Sequence, residues 1–155
     1  MIEHAMQIEL STLLDCSFEQ AVAHVRTPRL LEYVAYPLIR FTPISPGTFP
    51  KQWSTGTHWV GLRILGFLPF GKQAIVISYP EAVEGFLLRD NGHSALVRVW
   101  DHTITIKAEA GRTWYTDTVN INAGLLTLPI WLFAKVFYHH RQRRWRKLVG
   151  RSFQY

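Results

Sequence analysis

A single cysteine in 155 residues, Cys16, excludes an intramolecular disulfide. Signatures of common enzyme chemistry are also missing. The chain has no Gly-x-Ser-x-Gly elbow, no glycine-rich phosphate cradle and no dinucleotide fingerprint. His139 and His140 are adjacent, so on a helix they point to different sides and make no i, i+4 chelating pair. His24, His58 and His93 have no partner at ligand spacing, so neither a metal nor a cofactor is expected. No apolar run is long enough for a bilayer. Gly124 to Tyr138 contains Pro129 and Lys135 and falls short of the roughly 20 residues required. Met1 to Asp15 carries Glu3, Glu9 and Asp15 with neither a basic nor an apolar leader region. No secretory signal is expected there, and the protein is read as cytoplasmic.

What is present is an ordinary globular composition, 48% apolar and 18% charged, in a length that suits one domain over 1–155. Aromatics are plentiful: six Trp, six Tyr and nine Phe. Such rings supply cores, interfaces and ligand cavities alike. The net charge of +6 is concentrated at one end. Arg141, Arg143, Arg144, Arg146, Lys147 and Arg151 form a surface-basic end with no acidic residue among them. A cluster of this kind most often solvates a helix end, and it also suits an anionic membrane surface; a nucleic-acid role lacks a surrounding motif.

Along the chain, Met6, Ile8 and Leu10 alternate with polar residues as in a half-buried strand. Asp15 or Ser17 is placed to cap a short helix, and Thr27-Pro28 begins a second one running to about Tyr36. Pro37 to Trp53 holds four prolines and reads as a loop. Strands are then expected over 57–65, 73–79, 85–89, 95–107 and 112–123, with turns at Pro69 to Gly71, Pro80, Asn91-Gly92 and Gly111. Thr127 caps a final long helix that ends before Gly150. Ile130, Ala134, Phe137, Arg141, Trp145 and Leu148 line one side of it.

The order is strand, two short helices, antiparallel meander, long C-terminal helix. With Leu62-Arg63-Ile64-Leu65-Gly66, Pro69-Phe70-Gly71, Trp100-Asp101-His102, Thr113 to Val119, and Phe137 with Arg141, it resembles the START and Bet v 1-like superfamily. The similarity is greatest to the polyketide cyclase/dehydrase and coenzyme Q-binding branch. The resemblance implies an α+β helix-grip fold, a curved antiparallel sheet of six or seven strands around the C-terminal helix. It also implies a cavity for a lipid-like, quinone-like or polyketide-like molecule. It does not imply catalysis, because fold does not set function.

Strand alternation singles out one constellation. Trp100, His102, Ile104 and Ile106 share a face, as do Tyr115, Asp117, Val119 and Ile121, and both mostly apolar sets should point inward. A turn centred between Glu109 and Ala110 would set His102 opposite Asp117; a slip of two would leave them diagonal neighbours. The pair then reads either as a structural pin, with Arg141 joining it, or as the acid–base pair of a cyclase or dehydratase. The cavity is expected to be walled by Trp100, His102, Ile104, Tyr115, Asp117, Val119, Trp131 and Phe137, with Arg98 continuing the face. Binding or carrying of an apolar small molecule is the leading expectation. The catalytic reading and peripheral binding through the basic helix end are its alternatives.

Overall fold

The computed structural model describes residues 5–155. Seven strands form one antiparallel sheet. They are β1 (Met6–Leu14), β2 (Ile39–Pro43), β3 (Gly56–Ile64), β4 (Leu68–Ser78), β5 (Phe86–Ser94), β6 (Val99–Glu109) and β7 (Arg112–Asn122). Their spatial order is β1-β7-β6-β5-β4-β3-β2, so the chain meanders from one edge to β7 and the first strand pairs back onto the last. Between β1 and β2 lie two short helices, α1 (Phe18–Val25) and α2 (Pro28–Ala35). The chain ends in α3 (Thr127–Gly150), whose 24 residues reach about 36 Å. This is the α+β helix-grip arrangement.

Local chemistry sets the element boundaries. Ser17 and Gln20 form a reciprocal capping box at α1, each side chain accepting from the other's backbone N–H at 3.1 Å. At α2, Thr27 accepts from Leu30 N–H and Pro28 occupies the first turn, where its missing N–H costs nothing. Thr127 does not cap α3 from outside; it is the first helical residue. Its hydroxyl accepts from Ala123 N–H at 2.9 Å and donates to the Gly124 carbonyl at 2.7 Å, tying the helix to the end of β7. Gly150 lies inside α3, not beyond it.

Three other expectations need correction. The stretch read as a loop contains β2, a five-residue edge strand ending at Pro43, where a proline is tolerated. Asn91-Gly92 does not turn the chain, because β5 runs through it. The turn comes after Ser94, whose N–H donates to the Val97 carbonyl at 2.7 Å. The β6–β7 turn centres on Ala110-Gly111, one residue later than expected. Ala110 and Gly111 have φ of +47° and +79°, the pair of positive values that a two-residue hairpin turn needs and that Gly111 adopts without strain. His102 is therefore opposite Val119, Ile104 opposite Asp117 and Trp100 opposite Ile121. The two-residue slip preserves which face each side chain occupies.

The concave face of the sheet packs against α3. Ala134, Phe137, Arg141, Trp145 and Leu148 are all buried along one stripe of the helix, with Ile130 half-buried at its start. On either side of Arg141 the interior divides into two apolar clusters. One gathers Leu14, Val25, Val34, Val60, Ile106, Tyr115, Trp145 and Leu148. The other gathers Ile8, Ile39, Val119, Ile121, Ala134, Phe137 and Tyr138.

Candidate functional site

Between those clusters lies a polar band. Asp117, on β7, is 0% exposed. Its Oδ1 accepts from His102 Nε2 at 2.7 Å and from the Tyr115 hydroxyl at 3.0 Å; its Oδ2 accepts from Gln142 Nε2 at 2.9 Å. A guanidinium nitrogen of Arg141 stands 4.0 Å from Oδ1 and 3.5 Å from the Tyr115 oxygen. Gln142 also donates to the Leu10 carbonyl, joining β1 to the band. Burial works against the Asp117 charge, but the His102 bond, Arg141 and Gln142 outweigh it and hold the carboxyl below its usual range. Burial is the largest effect on His102 and lowers its pKa against the pull of Asp117. In the bond to the carboxylate, His102 donates from Nε2.

Next to the band, on the side of the α3 N-terminus, is a cavity of about 390 Å³. Leu31 of α2, Ile39, Phe41, Leu62, Ile64 and Ile75 of the sheet, and Ile130, Phe133 and Phe137 of α3 form its apolar walls. Leu68, Phe70, Leu96, Leu126 and Pro129 also line it while remaining exposed, which marks the mouth. Its polar lining comes from Gln73, Asp90, His102, Tyr138 and Arg141. The Trp100 indole donates to the Tyr138 oxygen at 3.0 Å, so two large rings are held as one wall.

Three of the expected cavity residues, Trp100, His102 and Phe137, line this space. Ile104, Tyr115, Asp117 and Val119 are buried in the interior but do not line the cavity. Trp131 turns to the β1 edge, where its indole donates to the Gln7 carbonyl and Lys135 stacks on its ring. Arg98 is exposed, beside Gly124. Arg141 is no surface residue: it is 6% exposed and its guanidinium lies over the Phe137 and Tyr138 rings. Its place in the apolar stripe of α3 puts it inside. Of the other basic residues, Arg144 stacks on Tyr33 and donates to its carbonyl, and Arg146 donates to the Thr12 hydroxyl. Arg143, Lys147 and Arg151 are exposed, and none of these five borders the cavity.

Asp90 and Gln73 were missed. Reading β5 as ending at Arg89 and placing a turn at Asn91-Gly92 concealed the alternation of Leu88, Asp90 and Gly92. Gln73, Ile75 and Ile77 alternate in the same way along β4. Asp90 stands opposite His102 in the sheet, and its Oδ1 accepts from Val76 N–H at 2.8 Å. Burial pushes its pKa up to about 7 against the opposing effects of that bond and of Arg141. Gly92 makes room for the pair, since a Cβ there would approach Gln73 Nε2 to 2.8 Å and Asp90 Oδ1 to 3.2 Å. Among the described residues, no three His, Cys, Asp or Glu side chains gather as a metal site requires, and no helix is long and apolar enough to cross a membrane.

A family profile described as a domain of unknown function, DUF8410, matches residues 13–149. No curated protein is similar in sequence. Solved structures with the same fold include a protein from Chromobacterium violaceum, 17% identical over 92% of this chain and 96% of that one, with a TM-score of 0.62. A START superfamily protein from Mycobacterium smegmatis is 10% identical over 96% of this chain and 99% of that one, with a TM-score of 0.57. A protein from Thermus thermophilus is 8% identical over 95% and 99%, with a TM-score of 0.67. At these identities the likeness is one of fold.

Proposed function

The chain belongs to the DUF8410 family of domains of unknown function, and on that premise we propose that it binds and carries a hydrophobic small molecule between its sheet and α3. The observation that carries this reading is the cavity itself. Its volume of about 390 Å³ lies in the range of small-molecule pockets, roughly 300–1,000 Å³, and its wall is apolar with a few polar groups at one end. Binding is favoured over catalysis because the carboxylate nearest to His102 is sealed. Asp117 already accepts three hydrogen bonds behind the cavity wall, so it orients His102 and has no path to a substrate atom. Native mass spectrometry of the protein purified from its own host tests the reading. The expected result is an extra mass belonging to one lipid-, quinone- or polyketide-like molecule that denaturation releases. A protein that stays apo and takes up no apolar dye would overturn it.

A second reading concerns delivery. Leu68 and Leu126 at the mouth and their neighbours along the chain, Leu65, Phe67, Leu125, Leu128 and Leu132, are exposed. The segments that supply them, 63–72 and 124–136, carry Arg63, Lys72 and Lys135 and no acidic residue, and the third segment at the mouth, 95–98, carries Arg98. Apolar side chains ringed by cations suit the surface of an anionic bilayer, where an apolar ligand passes from lipid to cavity without crossing water. This moves the membrane contact from the basic end of α3, where Trp145 and Arg141 are buried, to the cavity mouth. Vesicles containing phosphatidylglycerol should retain the protein at low salt and release Phe67→Asp. Equal retention of the two proteins would remove this reading.

A further inference from the structure

Asp90 holds an oxygen that the protein leaves free at the polar end of the cavity. It stands in a central strand, shares the inward face with buried Leu88 and lies opposite His102, so its remaining exposure is to the cavity that it lines. The β4–β5 ladder is open beside it. Ala74 pairs with His93 and Ile77 with Asp90, and between them Asp90 Oδ1 accepts from Val76 N–H at 2.8 Å. Among the described residues its Oδ2 has no partner, yet it is not sealed as the Arg141 Nε is. Gln73 lies next to it, the two side chains meeting over Gly92, and its amide makes one long bond, 3.4 Å from Nε2 to the Ala74 carbonyl. The Gln73 oxygen is likewise accessible and without a partner among the described residues. Two open acceptors thus stand at one end of an otherwise apolar space.

We propose that this end of the cavity is a hydroxyl subsite: an apolar alcohol or phenol donates its O–H to Asp90 Oδ2 while its hydrocarbon body lies toward the mouth. The subsite rests on the ligand-carrying reading above and adds the chemical class of the head group. Charge and hydrogen-bonding capacity select that class. A carboxylate or phosphate head would meet the Asp90 carboxyl as a second anion and offer it no donor. An ammonium head donates, but it would lose its hydration and be buried as a second cation beside a wall that holds Arg141. A ketone or ether only accepts, and a plain hydrocarbon would leave both oxygens with neither water nor a partner. A hydroxyl both donates and accepts. It therefore suits Asp90 in either protonation state, and burial brings the pKa of that carboxyl up to about 7, where both states occur.

The test is displacement of a bound apolar dye from the full chain at pH 8, where Asp90 is mostly ionised. The competitors are a 1-alkanol and the alkane, methyl ether, alkylammonium and fatty-acid anion of equal chain length. The alcohol should displace the dye at a concentration about fivefold or more below each of the others, the worth of one hydrogen bond. In Asp90→Leu that preference should vanish while the alkane still binds. The ether comparison uses the unaltered protein, so it decides the question even where Asp90→Leu does not fold. Equal displacement by alcohol and ether, tighter binding of either ion, or an alcohol preference that survives Asp90→Leu would overturn the subsite and leave the cavity reading standing. If no member of the series displaces the dye, both fall.

Discussion

The two halves of the interior, on either side of Arg141, are built from the same sheet and the same helix and end differently. Toward the α3 C-terminus, α1 and α2 close over the gap and Trp145, Tyr115, Leu14 and Leu148 fill it almost without exposure. Toward the N-terminus the wall residues Ile130 and Phe133 are half-buried, and the cavity remains. Large aromatics sit in both halves, so ring content does not decide which is hollow. The difference is that α1 packs on the closed half, while the two short helices reach the cavity through Leu31 alone. The polar band between them separates a half that carries stability from a half that holds space.

The largest expected effect comes from breaking that band. Asp117→Ala leaves His102, Tyr115, Gln142 and Arg141 facing an empty site and should cost about 3–5 kcal/mol in denaturant unfolding, as removal of one partner of a buried ion pair does. Comparing the halves directly, Trp145→Ala should cost about 3–5 kcal/mol by opening a void in the packed half. Phe133→Ala, at the wall of an existing cavity, should cost less than about half as much. If the two cost the same, the hollow half is as tightly packed as the closed one.

Filling the cavity should separate binding from folding. Ile130→Trp is expected to abolish dye uptake while changing stability by less than about 1.5 kcal/mol, since the added volume enters free space. A smaller effect depends on pH. The pKa of Asp90 rises on folding, to about 7, so its contribution is fully present below the ordinary carboxylate range and is lost as pH climbs through 7. Asp90→Asn keeps an acceptor for Val76 N–H and cannot ionise. Its melting temperature should therefore gain on that of the unaltered protein between pH 5 and 8, followed by calorimetry; a constant difference would mean that Asp90 titrates as an ordinary surface acid. The smallest effect is at the mouth. Phe67→Ser should shift stability by no more than about 0.5 kcal/mol, because Phe67 packs against no core cluster.

Much of the fold was legible because it follows from local pattern. Period-two alternation marked the strands, Ser17 and Thr27 the short helices, and the 3.6-residue stripe the buried side of α3. The inward facing of His102 and Asp117 also follows from alternation, and it survives a register error because a slip of two keeps parity. The error arose because the positive φ that Ala110 must adopt beside Gly111 leaves no mark in residue type. Asn91-Gly92 misled for the converse reason: the strongest short-range turn signal lies within a strand, where glycine is needed for the approach of Gln73.

The amino-acid sequence by itself determined the element order, the inward faces of the strands and the apolar stripe of α3, since each depends on neighbours a few residues apart. Only the tertiary structure decided that Arg141 is an interior cation, that Asp117 is sealed and Asp90 open, and that one half of the grip is hollow. Those outcomes depend on which side chains from distant strands and helices meet across the sheet, and burial, pairing and free space are properties of that meeting.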